Sequence, residues 1–207
     1  LSRIQAQASL VEQVVKDHVK YGASSSSRST LTPAFFVNVY PFESKLLAVR
    51  AFAKKSFRMP TSNDLYYADM GNSKLNPESA LQYDLGFVLN KDWKQGIVDH
   101  FRLQVDGYYN TVYDKIVAYP KGQQFRWTML NLGKVHIKGV DAMAEVGLEP
   151  AKDWKVTARL QYTYQDARDV TDPNTSYYKD QIPYIPWHSG SAILDLSWRE
   201  LDLAYSF

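Results

Sequence analysis

Short polar connections alternate with long, tyrosine-rich ones along this chain, and that rhythm restricts its fold more than any single motif. Tight connections fall at Tyr40-Pro41-Phe42-Glu43-Ser44, Asn90-Lys91-Asp92-Trp93-Lys94-Gln95-Gly96, Glu149-Pro150-Ala151-Lys152-Asp153 and Trp198-Arg199-Glu200. Between them lie long irregular stretches at residues 59–79 and 167–190, with a tighter one near Tyr119-Pro120-Lys121-Gly122. Consecutive strands joined this way put the short turns at one end and the long loops at the other. A soluble β-domain has no reason for that segregation. A barrel crossing an outer membrane does, because its periplasmic turns are short and its extracellular loops long.

The segments between the connections repeat with a period of two. Leu81, Tyr83, Leu85, Phe87 and Leu89 alternate with Gln82, Asp84 and Gly86. From Phe101 the series Leu103, Val105, Gly107 and Tyr109 opposes Arg102, Gln104, Asp106, Tyr108 and Asn110. Val156, Ala158, Leu160, Tyr162 and Tyr164 oppose Lys155, Thr157, Arg159, Gln161 and Thr163, and Leu194, Leu196 and Trp198 oppose Asp195 and Ser197. Leu201, Leu203, Tyr205 and Phe207 follow the last turn. The apolar set is expected to face lipid and the polar set a wet lumen. Phe101 to Tyr119 reads as one strand, long enough to continue beyond the bilayer. Val135 to Leu148 changes phase, and Gly139 at the switch predicts a β-bulge that flips the facing. Trp93, Trp154 and Trp198 sit near short turns, as an interfacial aromatic girdle requires.

The first residues fit two patterns. Ala6, Leu10, Val11, Val14, Val15, His18 and Val19 suit a helical face, whereas Ile4, Ala6, Ala8 and Leu10 suit a strand returning through Val15 to Tyr21. The hairpin is the preferred reading. Gly22-Ala23-Ser24-Ser25-Ser26-Ser27-Arg28-Ser29 reads as a flexible low-complexity loop.

Composition is compatible with a barrel and removes several other classes. The formal net charge is +2 with dispersed basic residues, which implies no nucleic-acid partner. The absence of cysteine excludes disulfides and thiolate metal sites. Mean hydropathy is negative, and no apolar run approaches the ~20 residues of a membrane helix. Alternating barrel strands stay hydropathically modest all the same. The four histidines, His18, His100, His136 and His188, show no metal-ligand spacing, and no nucleophile elbow or phosphate loop is present. Asp169, Asp172 and Asp180 lie close enough to consider calcium, but a solvated loop face explains them more simply. The chain reads as a non-enzyme with no cofactor.

Ser56-Phe57-Arg58-Met59-Pro60-Thr61-Ser62-Asn63-Asp64-Leu65-Tyr66-Tyr67, followed by Gly71-Asn72-Ser73-Lys74-Leu75-Asn76-Pro77-Glu78, resembles the paired F-R-x-P-x-x-x-x-L-Y and G-N-x-x-L-x-P-E elements of TonB-dependent outer-membrane receptors. Tyr108-Tyr109-Asn110, Asp114-Lys115-Ile116-Val117, Asn131 to Asp141 and Ile185-Pro186-Trp187-His188 are similar to that family's barrel too, so the likeness covers about residues 29–207. Physically, Pro60 ends a strand, Gly71-Asn72 favours a turn, and Glu78 can pair with Arg58 across the wall.

The resemblance implies an all-β, antiparallel up-and-down transmembrane barrel of about 22 strands with a plugged lumen. This chain would supply about eight to ten of those strands as residues 1–207, with the N-terminal plug and TonB box outside it. The sequence opens at Leu1, so an export signal is expected to have been removed or to lie elsewhere. Phe207 is expected to be a cut point; the rival is the terminal aromatic of a complete small barrel.

The implied function is energy-coupled import of cobalamin, haem or an iron–siderophore across the outer membrane of a Gram-negative bacterium. Outer-membrane lipid and the TonB complex are the implied partners, with room for a surface lipoprotein. Tyr66, Tyr67, Tyr177, Tyr178, Tyr184 and Trp187 are the candidate ligand contacts in the extracellular loops, with Asp64 and Asn72 as polar neighbours. Tyrosine offers aromatic area with a polar tip. Interface anchoring and loop self-packing are the structural alternatives for each. A passive porin and a soluble β-rich binding domain are the competing classes.

Overall fold

The structure is a computed structural model that describes residues 3–16, 28–121 and 126–207. Among these residues nine strands form one antiparallel sheet in sequence order: β1 (Ile4–Val15), β2 (Arg28–Val39), β3 (Leu47–Arg58), β4 (Glu78–Asp92), β5 (Val98–Lys121), β6 (Arg126–Leu148), β7 (Trp154–Asp169), β8 (His188–Trp198) and β9 (Leu201–Ser206). A short helix, α1 (Ser62–Tyr66), lies between β3 and β4. The meander puts the turns at 40–46, 93–97, 149–153 and 199–200 at one end and the loops at 59–77 and 170–187 at the other. Among the described residues β1 pairs only with β2 and β9 only with β8, so the sheet has two free edges.

The register sorts the side chains into two chemically opposite faces. Partners directly across an antiparallel pair share a face. One transverse row reads Gln5, Asn38, Arg50, Gly86, Asp106, Asp141, Thr163 and Ser189; the adjacent row, one residue along, reads Ile4, Val39, Val49, Phe87, Val105, Ala142, Tyr162 and Gly190. Burial runs opposite to a soluble protein: Asp106 and Glu145 are each 5% exposed, whereas Leu85 is 63% and Leu160 60% exposed. Charged groups enclosed on one face, with leucines bare on the other, are what a wall between lumen and lipid requires. The predicted outward residues Leu81, Tyr83, Leu85, Phe87, Leu103, Val105, Leu160, Leu194 and Leu196 all fall on the apolar face.

The lipid band can be located on β7. Trp154 stacks on Trp198 of β8 with ring centroids 5.6 Å apart, and Tyr162 and Tyr164 follow on the same face. That interval is about ten residues, the length of a tilted membrane strand. β5 and β6, with 24 and 23 residues, run well past it and carry a hairpin above the wall.

Three readings are corrected. The strand returning from β1 is β2, at Arg28–Val39, rather than Val15–Tyr21; Val15 itself ends β1. The low-complexity stretch at residues 22–29 lies almost wholly outside the described residues. β5 continues through Tyr119, Pro120 and Lys121, where the turn was expected, and Gly122 lies outside the described residues. Gly139 is not a bulge: Tyr108, Gly139 and Gln165 stay aligned, and the register of β6 is unbroken on both sides. The apolar phase switches because the environment does. Above the lipid band Val135 and Ile137 remain on the lumen side, buried with Val112, Ala167 and Ile182, while Lys134, His136 and Lys138 take the outward side. Gly139 instead makes room for a neighbour, since a Cβ there would stand 2.4 Å from the Tyr108 hydroxyl. The irregularity in β5 lies between Val98 and His100.

Candidate functional site: the loop-bearing rim

Both long loops dock on the projecting β5–β6 hairpin. In the first, Thr61 caps α1 through a reciprocal box: the Asp64 N–H donates to Thr61 Oγ1 at 3.1 Å, and the Thr61 N–H to Asp64 Oδ2 at 2.8 Å. Leu65 and Leu75 then pack with Ile116 of β5 against Met129 of β6. Asn72 donates through Nδ2 to the Met129 carbonyl at 3.0 Å, and Asn76 exchanges hydrogen bonds with Asn131 at 2.8 and 2.9 Å. At the strand mouth Arg58 and Glu78 face each other in register. Arg58 makes a bidentate contact of 3.1 and 3.2 Å to the nearly buried Glu78 carboxylate, which also accepts the Ile116 N–H at 2.6 Å. That hydrogen bond to Glu78 raises the pKa of Arg58 further. The wall salt bridge expected from the sequence is therefore present, and it fastens the loop to three strands.

Replacing Glu78 by Ala leaves the Ile116 N–H without this acceptor and Arg58 with only its looser ion pair to Asp64 at 3.6 Å. A loss of roughly 1–3 kcal/mol, confined to the loop end of the wall, is expected. Limited proteolysis of intact cells should then cut the 59–77 loop faster than in the wild type, with Glu78→Gln intermediate. Equal cutting of all three would refute the anchoring role.

The second loop folds back over the lumen side. Ile182, 3% exposed, enters the cluster of Val112, Val135, Ile137 and Ala167. Its N–H bonds the Ala167 carbonyl at 2.9 Å, and Gln181 Oε1 accepts the Ala167 N–H at 2.9 Å. Thr171 Oγ1 accepts the Lys134 N–H at 2.9 Å, tying this loop to β6. Asp169 and Asp172 accept N–H groups of Thr171 and Asn174 at 2.9 Å each, so these carboxylates shape turns. Between this loop and the hairpin lies a cavity of about 470 Å³, lined by Tyr119, Leu130, Asn131, Leu132 and Gly133 on one side and by Asp169, Thr171, Asp172, Tyr177 and residues 180–183 on the other. Aromatic walls with several carboxylates suit a polar ligand fragment.

The sequence matches the "TonB dependent receptor-like, beta-barrel" family over residues 12–206. The chain belongs to that family. Vitamin B12 transporters BtuB of Vibrio vulnificus and Photobacterium profundum are 27% and 28% identical over 118 and 133 residues, 56% and 59% of this chain but 17% and 19% of those proteins. Among solved structures, the copper transporter OprC superposes with a TM-score of 0.65 at 19% identity over 99% of this chain and 31% of its own. The FrpB iron transporter of Neisseria meningitidis gives 0.58 at 16% identity over 100% of this chain and 30% of its own. The Serratia marcescens hemophore receptor HasR, solved with its hemophore HasA and heme, gives 0.59 at 16% identity over 98% of this chain and 38% of its own. The chain thus spans about a fifth of its curated relatives and about a third of the solved barrels.

Membership makes this a wall segment of a TonB-dependent receptor in a Gram-negative outer membrane, from a family of transporters rather than enzymes. The eight predicted contacts do not converge on one receptor pocket. Tyr177 is the one that lines the cavity. Tyr66 and Tyr67 stand exposed at the end of α1. Tyr184 is 76% exposed, its ring 5.5 Å from Trp127; Tyr178 lies under the Lys179 ammonium at 5.2 Å. Trp187 packs against Tyr164 at 6.2 Å and under Arg168 at 5.5 Å, on the outward side. Asp64 and Asn72 are engaged in holding the first loop.

The receptor lumen holds charge clusters that periodicity alone did not single out. Arg50 reaches across Gly86 to bind Asp106 through two bonds of 2.8 and 2.6 Å, and Glu145 binds Arg102, Arg159 and His100. Arg50 was missed because β3 alternates weakly, with Ala51 and Ala53 outward and Phe52 inward.

Proposed function

We propose that the full-length protein imports a scarce, bulky ligand across the outer membrane, driven by the TonB complex through a plug domain, and that the loop-bearing rim makes the first ligand contact. The family match over residues 12–206 carries this reading. Cobalamin is the preferred ligand, because the two curated relatives named above are vitamin B12 transporters. Haem and iron–siderophores follow, since the matched solved barrels include iron and hemophore receptors. The cavity of about 470 Å³ is a subsite for part of such a ligand. Tyr177 takes the leading contact role, Tyr66, Tyr67, Tyr178, Tyr184 and Trp187 supporting roles, and Asp64 and Asn72 hold the loop that presents the first two.

Uptake of labelled cyanocobalamin by cells carrying the full-length gene tests the proposal. Uptake should saturate and vanish when TonB is deleted. Tyr177→Ala should weaken binding by about tenfold, near 1.4 kcal/mol, with unchanged thermal stability. Persistent uptake without TonB, or a steady ion conductance of the purified protein in planar bilayers, would favour a passive pore. TonB-dependent growth on haem or a siderophore without cobalamin uptake would keep the mechanism and change the ligand.

A further inference from the structure

We propose that the outward face just above the lipid band binds a phosphorylated headgroup of the outer leaflet through Lys134 and Lys138 of β6 and Arg168 of β7. Register puts these residues on the lipid side: Lys138 shares a row with Tyr83, Tyr109 and Asp166, and Arg168 with Leu81, Thr111 and His136. Lys134, His136 and Lys138 point the same way because strand side chains repeat every second residue. Their height follows from β7. From Trp154 to Asp166 the strand climbs roughly 30 Å, at about 3.3 Å per residue and a tilt of about 40°, against an apolar band about 25 Å tall. At that climb Lys138, Arg168 and Lys134 stand roughly 5, 10 and 15 Å above the apolar band, rising through the headgroup side where basic residues meet anionic lipid.

The patch has uncompensated charge. Asp166, with its side chain 3% exposed, is shared by Lys138 at 3.4 Å and Arg168 at 2.7 Å. Lys134 lies 5.7 Å from the Tyr113 ring, an aromatic rather than an anionic neighbour. The outward residues of β4 and β5 in these rows are uncharged, so among the described strand residues here three cations face one carboxylate. His136 lies between them on the same side and adds no negative charge to the patch. The Lys138 side chain is 63% and that of Arg168 42% exposed; Arg168 gives Nε to Asp166 and one Nη1 hydrogen to the Lys179 carbonyl at 3.2 Å, which leaves Nη2 and the rest of the Lys138 ammonium to reach a phosphate.

Native mass spectrometry of the full-length protein, released from phosphatidylcholine nanodiscs containing bisphosphorylated lipid A, tests this. The wild type should retain lipid A, and should retain dephosphorylated lipid A far less. Lys134→Gln with Lys138→Gln should lower retention about tenfold. That pair leaves Arg168 to satisfy Asp166, and heat-modifiable migration shows that it folds. Lys134→Arg with Lys138→Arg should restore retention, and Lys91→Gln, outward at the opposite end, should leave it unchanged. Undiminished retention in the glutamine pair, or equal retention of the dephosphorylated lipid, would overturn the assignment.

Discussion

Arginine in place of Leu160 should cost the folded barrel about 2–4 kcal/mol, while arginine at the next residue, Gln161, should cost almost nothing. Leu160 is 60% exposed, midway along β7 between Trp154 and Asp166, with Ala144 and Ala192 as cross-strand neighbours. A guanidinium there must lie in hydrocarbon or drag water to itself. Gln161 points the other way, bonded to Ser191 at 3.1 Å on a face that meets water. Its arginine forfeits one exposed hydrogen bond and stays within about 0.5 kcal/mol of the wild type. Urea titrations of the full-length protein folded into lipid vesicles measure both. Because the two residues share one strand and one local propensity, the difference isolates the facing.

Alanine at Gly86 should destabilise by roughly 1–3 kcal/mol, whereas alanine at Gly107 should be neutral or mildly stabilising. Gly86 lies on the lumen row between Arg50 and Asp106, and its missing side chain lets the guanidinium reach the carboxylate one strand further on. A Cβ at Gly86 would meet Asp106 Oδ1 at 2.0 Å and the Val105 carbonyl at 2.6 Å. The carboxylate must then leave both Arg50 and Gln104, from which it accepts bonds of 2.6 to 2.9 Å. Gly107 is on the outward face, where a Cβ meets nothing closer than the Leu85 carbonyl at 3.8 Å. Strand propensity alone favours alanine at both positions. A loss at both, or at neither, in the same titration would count against the assigned lumen geometry.

What was legible in the sequence depended on whether one environment covered a whole segment. β4, lower β5, β7 and β8 cross the lipid with apolar residues on one side and polar ones on the other, so period two alone gave their facing. The paired Arg58–Glu78 motif was readable because both partners stand at the mouths of adjacent strands. β3 was harder, since small alanines face outward and Phe52 packs on Phe36 at 5.7 Å on the lumen side. Upper β6 misled because its outward side becomes basic above the lipid while its lumen side becomes apolar beneath a loop; sequence records the polarity, not the height at which it changes. The cavity was half visible. Tyr177 stood out as a loop tyrosine, but Tyr119 and residues 130–133 belong to a hairpin that a Tyr-Pro-Lys-Gly turn signal had cut short.

A spin-label accessibility scan along β7 of the full-length protein in lipid vesicles is the most direct test of the wall assignment. Single cysteines from 155 to 164, in a background whose described segment has none of its own, would be exposed in turn to molecular oxygen and to an aqueous nickel chelate. Oxygen contact should peak at 156, 158, 160 and 162 and nickel contact at 155, 157, 159, 161 and 163. A profile without period two, or one of opposite phase with Leu160 reporting water and Gln161 reporting lipid, would contradict the account.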